Sequence, residues 1–324
     1  MAILENNGEI SMDHYPQTWS EFIGQDAAKR QLRVAAKSAK ARNAVMGHVM
    51  LSSSTPGIGK TSLALLIGAE LGAEVTMQSG PVKPHELQYL FMDMKAGDVL
   101  FLDEAHRLAD GGKKNAEWLL HLLQDGMVST PLGMIEVPRI TVVAATTDAG
   151  KLPQPVLDRF EINPTLAPYS DDEGARIAAQ LATKVLKAAG LPLPTDEVCA
   201  SIAQAGNNSP RHIRRILCAV RDLTWAEEIS SNKGKYELDQ AFDFAGVSAD
   251  GLPTQAQRYL TILMAEFRGA PAGKTVIAER LGEVGGGMTE VERILLDRGL
   301  IAFTKGGRML TTDGMRRAKQ LAAA

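Results

Sequence analysis

Four short apolar runs, His48 to Ser52, Glu74 to Gln78, Asp98 to Leu102 and Arg139 to Ala145, recur between about residues 20 and 167, separated by stretches with helical spacing. Runs this short, rich in Val and Leu, predict parallel strands buried on both faces of an α/β sheet. From about Asp171 to Gly246 the pattern becomes helical, with helices expected at Asp171 to Ala189, Thr195 to Ala205, Pro210 to Ser230 and Glu237 to Ala245. Acids in the first turn of the first of these, and Gly190 with Pro192 after it, mark its ends. From about Leu252 three more helices are expected, at Thr254 to Arg268, Thr275 to Leu281 and Thr289 to Arg298, then two extended pieces around Gly306-Gly307. Three helices followed by a hairpin outline a winged-helix domain. The chain thus divides at 1–167, 168–248 and 249–324, and shows no internal repeat.

Composition agrees with several domains: 324 residues exceed one compact core, and 45% hydrophobic with 23% charged residues and a mean hydropathy of −0.08 describe a folded, water-soluble chain. The longest apolar stretches, such as Leu63 to Gly72, are broken by charge at Glu70, and the acidic N-terminus lacks the pattern of a signal peptide, so a cytoplasmic, non-membrane protein is expected. Two cysteines, Cys199 and Cys218, are expected as core thiols rather than a disulfide or zinc site. The net charge of −3 argues at first against a nucleic-acid partner, yet it is uneven. Residues 250–324 carry 11 Lys and Arg against 8 Asp and Glu, and the tail from Gly299 carries five bases against Asp313 alone.

The strongest chemical signal is Ser54-Thr55-Pro56-Gly57-Ile58-Gly59-Lys60-Thr61, between an apolar strand and the helix-forming run that begins at Ser62. In a P-loop, backbone N–H groups wrap the β-phosphate, the lysine reaches the β- and γ-oxygens, and the hydroxyl ligates Mg²⁺. Gly57, Ile58, Gly59, Lys60, Thr61 and Ser62 are therefore expected on the nucleotide, although Ser54 stands where the pattern has its first glycine. The strand at Asp98 ends in Asp103 and Glu104, which suits a metal-holding acid beside a base that activates water, on a strand expected next to the P-loop strand. The strand Ile140 to Ala145 ends in Thr146-Thr147, which places hydroxyls where a polar group can sense the γ-phosphate or its water. Arg159, in Leu157-Asp158-Arg159-Phe160, is expected as an arginine finger, and Arg211, opening a helix after Ser209-Pro210, as a cation returned to the nucleotide.

These motifs in this order resemble the RuvB family of AAA+ ATPases. The resemblance rests on Phe22-Ile23-Gly24-Gln25, the P-loop, Ser79-Gly80-Pro81, Gly97 to Leu108, Ala145-Thr146-Thr147, Asp158-Arg159-Phe160, Pro210-Arg211-His212-Ile213, Arg298-Gly299-Leu300-Ile301 and Lys305-Gly306-Gly307-Arg308. It implies an α/β P-loop AAA+ domain, an all-α lid and a C-terminal winged helix. It also implies ATP and Mg²⁺ as cofactors, a ring, commonly a hexamer, on double-stranded or branched DNA, and a junction-binding RuvA partner. By position, Lys60, Asp103, Glu104, Thr146 and Arg159 carry catalysis, with Thr61 and Asp103 at the metal. Tyr15, Ile23 and Tyr169 line the adenine pocket, Arg211 senses the nucleotide, and Lys305 and Arg308 in the wing touch the DNA backbone.

The departures from that pattern are Ser54, Tyr15-Pro16, Asp148 and Leu157, and a hairpin between Gly126 and Val137 that is shorter than the family's RuvA-docking hairpin. Recruitment of a RuvA-like partner is accordingly in doubt. Acids at Glu290, Glu292 and Asp297 make the helix Thr289 to Arg298 a poor occupant of a DNA groove, so the wing is expected as the main contact. Two other readings stay open: a clamp or helicase loader built on the same motor, and a DNA-binding protein regulated by nucleotide.

Overall fold

The computed structural model describes residues 4–5, 8–9, 15–53, 55–80, 84–109, 113–131, 133–282 and 287–323. Its centre is a four-stranded parallel sheet in the order Val49–Ser52, Thr141–Thr146, Val99–Asp103, Val75–Ser79. Beyond Val49–Ser52, isolated parallel bridges tie Val49 to Ile162 and Ser52 to Thr165. All four expected strands are present within one or two residues of the predicted bounds.

Alternation explains why the strands Val49–Ser52, Val99–Asp103 and Thr141–Thr146 are apolar through their centres, whereas the edge strand Val75–Ser79 carries Thr76, Gln78 and Ser79. Val49, Leu51, Val99, Phe101, Val143 and Ala145 face the helices Asp26–Ala41 and Lys60–Leu71, whereas Met50, Leu100, Leu102, Val142 and Ala144 face the side that holds Trp118 and Leu119 of Lys113–Asp125. Successive side chains of a strand point to opposite faces, so a sheet covered on both sides needs apolar residues at every position.

The strand order corrects one expectation. The acidic strand Val99–Asp103 does not adjoin the P-loop strand, because Thr141–Thr146 pairs with both and lies between them. The strand Thr141–Thr146 thereby borders the P-loop strand on one side and the strand of the acidic pair on the other.

The lid begins at Asp171–Val185, whose N-cap Ser170 forms a reciprocal capping box with Glu173: Ser170 Oγ accepts from the Glu173 N–H at 3.3 Å and Glu173 Oε2 from the Ser170 N–H at 2.8 Å. Asp196–Ala205, Pro210–Trp225 and Leu238–Phe244 complete it, and its apolar residues Ile177, Leu181, Ile213 and Leu217 join the core of the P-loop face. Cys199 is buried and Cys218 half-buried, and both are free thiols.

Residues from Leu252 onward form a separate core around Tyr259, Leu263, Ile277, Leu295 and Leu310. Here Thr254–Ala265, Lys274–Leu281 and Gly287–Asp297 are followed by the hairpin Ile301–Thr304 and Gly307–Leu310, as expected for a winged helix. The basic tail is not a free extension: Thr312–Ala323 is a helix that buries Ala318 in this core. Among the described residues no helix is long and apolar enough to cross a membrane.

Candidate nucleotide site and DNA reader

The helix Lys60–Leu71 starts directly from the glycine-rich loop with no side-chain cap, so its first N–H groups have no intrahelical partner and face the loop. Unpaired N–H groups and the helix dipole together favour a phosphate there. Gly57 has φ +72°, and a Cβ on it would stand 2.6 Å from Ser209 Oγ, so both the backbone conformation and the approach of the lid require glycine. Ser54 lies outside the described residues.

This loop floors a cavity of about 330 Å³ closed by the lid. Of the expected nucleotide residues, Tyr15, Ile23, Gly57, Ile58, Gly59, Lys60, Thr61, Ser62, Asp103, Glu104, Tyr169 and Arg211 all line it. Tyr169, buried, donates its hydroxyl to the Ile58 carbonyl at 2.9 Å and so pins the base of the lid to the loop. On the opposite wall, Gln180 Nε2 donates to the Glu21 carbonyl at 2.8 Å and Lys184 Nζ to the Tyr15 carbonyl at 2.9 Å, which joins the lid to the segment before the first helix. Sequence reasoning missed Gln180, Lys184 and Arg214, which also line the cavity; Arg214 lies three residues after Arg211, a spacing that places both on one helix face.

Charge in the cavity is concentrated and partly desolvated. Burial pushes the Lys60 ammonium below its ordinary value, an effect opposed by Glu104 and Asp103. Burial likewise pushes the Asp103 carboxyl above the ordinary aspartate value, and the neighbouring Glu104 charge adds to it. A cation placed between these carboxylates and a bound phosphate relieves that repulsion. One hydroxyl and one carboxylate are a set suited to Mg²⁺, which takes its remaining ligands from phosphate and water; among the described residues no cluster of three or more acidic, His or Cys ligands competes with it.

Thr146 and Thr147 occupy different environments. Thr146 shares the face of Val142 and Ala144 and is fully buried; its hydroxyl lies 3.1 Å from His106 Nδ1 and accepts the Asp148 N–H at 3.0 Å. Thr147, the next residue, is half-buried and donates its hydroxyl to Glu104 Oε2 at 3.2 Å. The hydroxyl facing the acidic pair is therefore one residue later than expected, because the period of the strand turns Thr146 away from the cavity. Glu104 itself has φ +50°, an uncommon conformation for a glutamate, and its Oε2 lies 3.2 Å from His106 Nδ1.

Arg159 lies just beyond the short helix Gln154–Leu157, exposed, and donates to Gln124 Oε1 at 2.9 Å. It does not line the cavity of its own chain.

In the winged helix the two expected wing cations differ. Lys305 is exposed at the hairpin turn. Arg308 grips Glu292 with two donors, Nε to Oε1 at 2.8 Å and Nη2 to Oε2 at 3.3 Å, and its guanidinium carbon sits 4.8 Å from the centre of the Phe303 ring. Glu292 is 4% exposed and also accepts the Tyr259 hydroxyl at 3.0 Å, so of the three acids expected on the outside of its helix this one is turned into the core. Two further bases of the tail are paired as well, Arg316 with Asp313 and Arg317 with Asp250 at 2.7 Å, while Lys319 is exposed on the last helix. The helix Gly287–Asp297 and the hairpin strand Ile301–Thr304 border a cleft whose other lining residues are Pro56, Glu104 and Thr147, with Glu290 and Arg293 contributed by the helix and Phe303 by the strand.

Two family models match the chain: the P-loop domain of the Holliday junction DNA helicase RuvB over residues 14–166, and the RuvB C-terminal winged-helix domain over residues 249–319. The Holliday junction branch migration complex subunit RuvB of Lacticaseibacillus casei is 34% identical over 321 residues, covering 95% of this chain and 92% of that protein. The RuvB subunit of Thermobifida fusca is 34% identical over 311 residues, covering 91% and 85%. Among solved structures, the RuvB Holliday junction branch migration motor of Thermotoga maritima superposes with a TM-score of 0.77 at 30% identity, covering 95% of this chain and 98% of that one.

Proposed function

The chain belongs to the RuvB family, and from that membership and the geometry of its cavity we propose that it is an ATP-driven DNA motor that moves the branch point of Holliday junctions. The observation that carries the reading is the union of a P-loop, an acidic pair and a lid cation around one cavity, in a chain that ends in a winged helix.

The P-loop N–H groups and Lys60 hold the phosphates, while Arg211 and Arg214 approach from the lid. Thr61 and Asp103 would hold Mg²⁺, whose charge offsets that of the β- and γ-oxygens when bound. Glu104 takes the proton of the attacking water. Its hydrogen bond to Thr147 holds it at the end of the strand beside the P-loop strand, so Thr147 rather than Thr146 is the hydroxyl that links the γ-phosphate to the base. Thr146 supports it from within the fold through His106 and Asp148.

Arg159, exposed and outside its own cavity, acts in a neighbouring subunit, which makes a closed ring, most simply a hexamer, the active form. Such a ring strips DNA past the junction in the manner of a helicase, in the cytoplasm. Lys305 of each wing contacts phosphate, and Arg308 holds the wing in shape through Glu292. A hairpin survives at Met127–Thr130 and Gly133–Glu136, with four-residue strands, and offers a small surface to a RuvA-like partner. Phosphate release by the purified chain, with and without a four-way junction, tests the ATPase and its coupling to DNA together: release accelerated by the junction supports the reading.

A further inference from the structure

Arg298 follows the helix Gly287–Asp297 at the foot of the wing, and its side chain reaches out of its own domain. The guanidinium donates to the side-chain oxygen of Asn207 in the lid and to the Gly251 carbonyl at 3.0 Å, with the Asp250 carboxylate 3.8 Å away. Asn207 Nδ2 donates to the same Gly251 carbonyl at 2.8 Å, and Arg317 from the last helix donates to Asp250 at 2.7 Å. Gly251 has φ +76°, and a Cβ on it would stand 2.8 Å from both Asn207 Oδ1 and the Gln204 carbonyl.

Asn207 belongs to a turn of unusual backbone. It and Asn208 are successive left-handed residues, with φ +51° and +54°, and their side chains bind in different directions. Asn208 Nδ2 donates to Asp171 Oδ1 at 2.8 Å, at the start of the first lid helix and close to Tyr169 of the cavity, while Asn207 binds the winged helix. The turn runs directly into Ser209, whose hydroxyl is buried against Gly57 and has no hydrogen-bond partner among the described residues, and then into Arg211, which lines the cavity. An unpaired buried hydroxyl costs free energy, so movement of the P-loop or lid that gives it a partner is favoured.

We propose that Arg298 and Asn207 form a tie, within one subunit, that passes the nucleotide state of the P-loop to the wing and to the helix that precedes it. Arg298 is a positioning residue here: it lies outside the nucleotide cavity and acts through the turn 206–209. A planar guanidinium presents its donors in a rigid fork that meets Asn207, Gly251 and Asp250 in fixed directions, whereas an ammonium is a compact point charge with freely rotating donors. The proposal rests on the motor reading above, since a passive DNA-binding protein has no need to couple the two sites.

The test is hydrogen exchange of the full chain with and without a slowly hydrolysed ATP analogue. In the unsubstituted protein the analogue is expected to change exchange in residues 287–310 by about fivefold or more, the scale of an ordinary coupling between sites. Arg298→Ala and Asn207→Ala should each abolish that response while leaving analogue affinity and the response of the P-loop unchanged, and the double substitution should add nothing to either. Exchange in Thr254–Ala265, the core helix of the winged domain, reports whether Arg298→Ala has loosened the domain itself; if it has, Asn207→Ala, which alters only the lid side, decides. A full response in the variants, or none in the unsubstituted protein, overturns the proposal. Failure to move a junction would instead sink the motor reading, and the exchange response does not depend on it.

Discussion

The Thr147 hydroxyl donates to Glu104 Oε2 at 3.2 Å, and through that bond the end of one strand holds the acid at the end of the next. His106 Nδ1 lies 3.2 Å from the same oxygen and 3.1 Å from Thr146 Oγ1, so the base and both threonines belong to one small polar network beneath the cavity.

Glu104→Gln keeps the shape and hydrogen-bonding capacity of the side chain but removes its basicity. ATP binding should stay within about twofold and hydrolysis should fall by roughly 10² or more, the scale of a lost general base. Fluorescent-nucleotide titration and phosphate release measure the two separately.

The two threonines should separate by readout. Thr147→Val removes the bond to Glu104 and should lower kcat about tenfold to a hundredfold, with thermal stability nearly unchanged. Thr146→Val removes, at a fully buried position, the hydroxyl that accepts the Asp148 N–H and lies beside His106 Nδ1, and should cost about 1–3 kcal/mol in stability. Calorimetry beside steady-state kinetics distinguishes them, and equal stability losses would reject the assignment.

The wing cations should separate in the same way. Arg308→Ala strands the buried Glu292 carboxylate and should destabilise the winged helix by about 3 kcal/mol. Lys305→Ala should leave stability unchanged, weaken DNA binding regardless of sequence, and reduce the salt slope of binding by about 0.9 per subunit. Denaturation curves and DNA titrations over a salt series check both.

Acid should weaken the P-loop sheet through His48. Its Nδ1 accepts the Val142 N–H at 3.1 Å and must stay unprotonated to do so, and burial holds the imidazole below its ordinary value of 6.5 against the opposing pull of Glu161. Between that lowered value and 6.5 the unfolded chain binds a proton that the folded chain does not, so stability falls as pH drops through the window. His48→Asn, which keeps an acceptor without a titrating ring, should flatten this part of the melting-temperature profile.

The sheet was legible because three of its four strands are apolar through their centres on both faces, the edge strand Val75–Ser79 with Thr76, Gln78 and Ser79 being the exception, and the nucleotide loop because phosphate chemistry constrains spacing as well as residue type. Strand order was not legible: nothing in the run ending at Asp103 tells that Thr141–Thr146 separates it from the P-loop strand. Which of Thr146 and Thr147 turns its hydroxyl to Glu104 was not legible at single-residue scale either, since that requires knowing which face of the strand is covered. The charge of the tail misled for a different reason. Counting gives five bases from Gly299 onward, but Arg308, Arg316 and Arg317 each have an acidic partner, two of them outside that tail, in Glu292 and Asp250. Composition records charge and cannot record pairing, so the surplus that points to DNA comes down, on the wing, to Lys305 and its repetition around a ring.

The central claim is that ATP hydrolysis in this cavity moves a DNA branch point, and its most direct test is migration of a synthetic four-way junction by the purified chain, alone and with a junction-binding partner. The account predicts ATP-dependent conversion of the junction to its duplex products, absent with Glu104→Gln and with Arg159→Ala. Vigorous ATP hydrolysis with the junction left intact under every partner condition would contradict it.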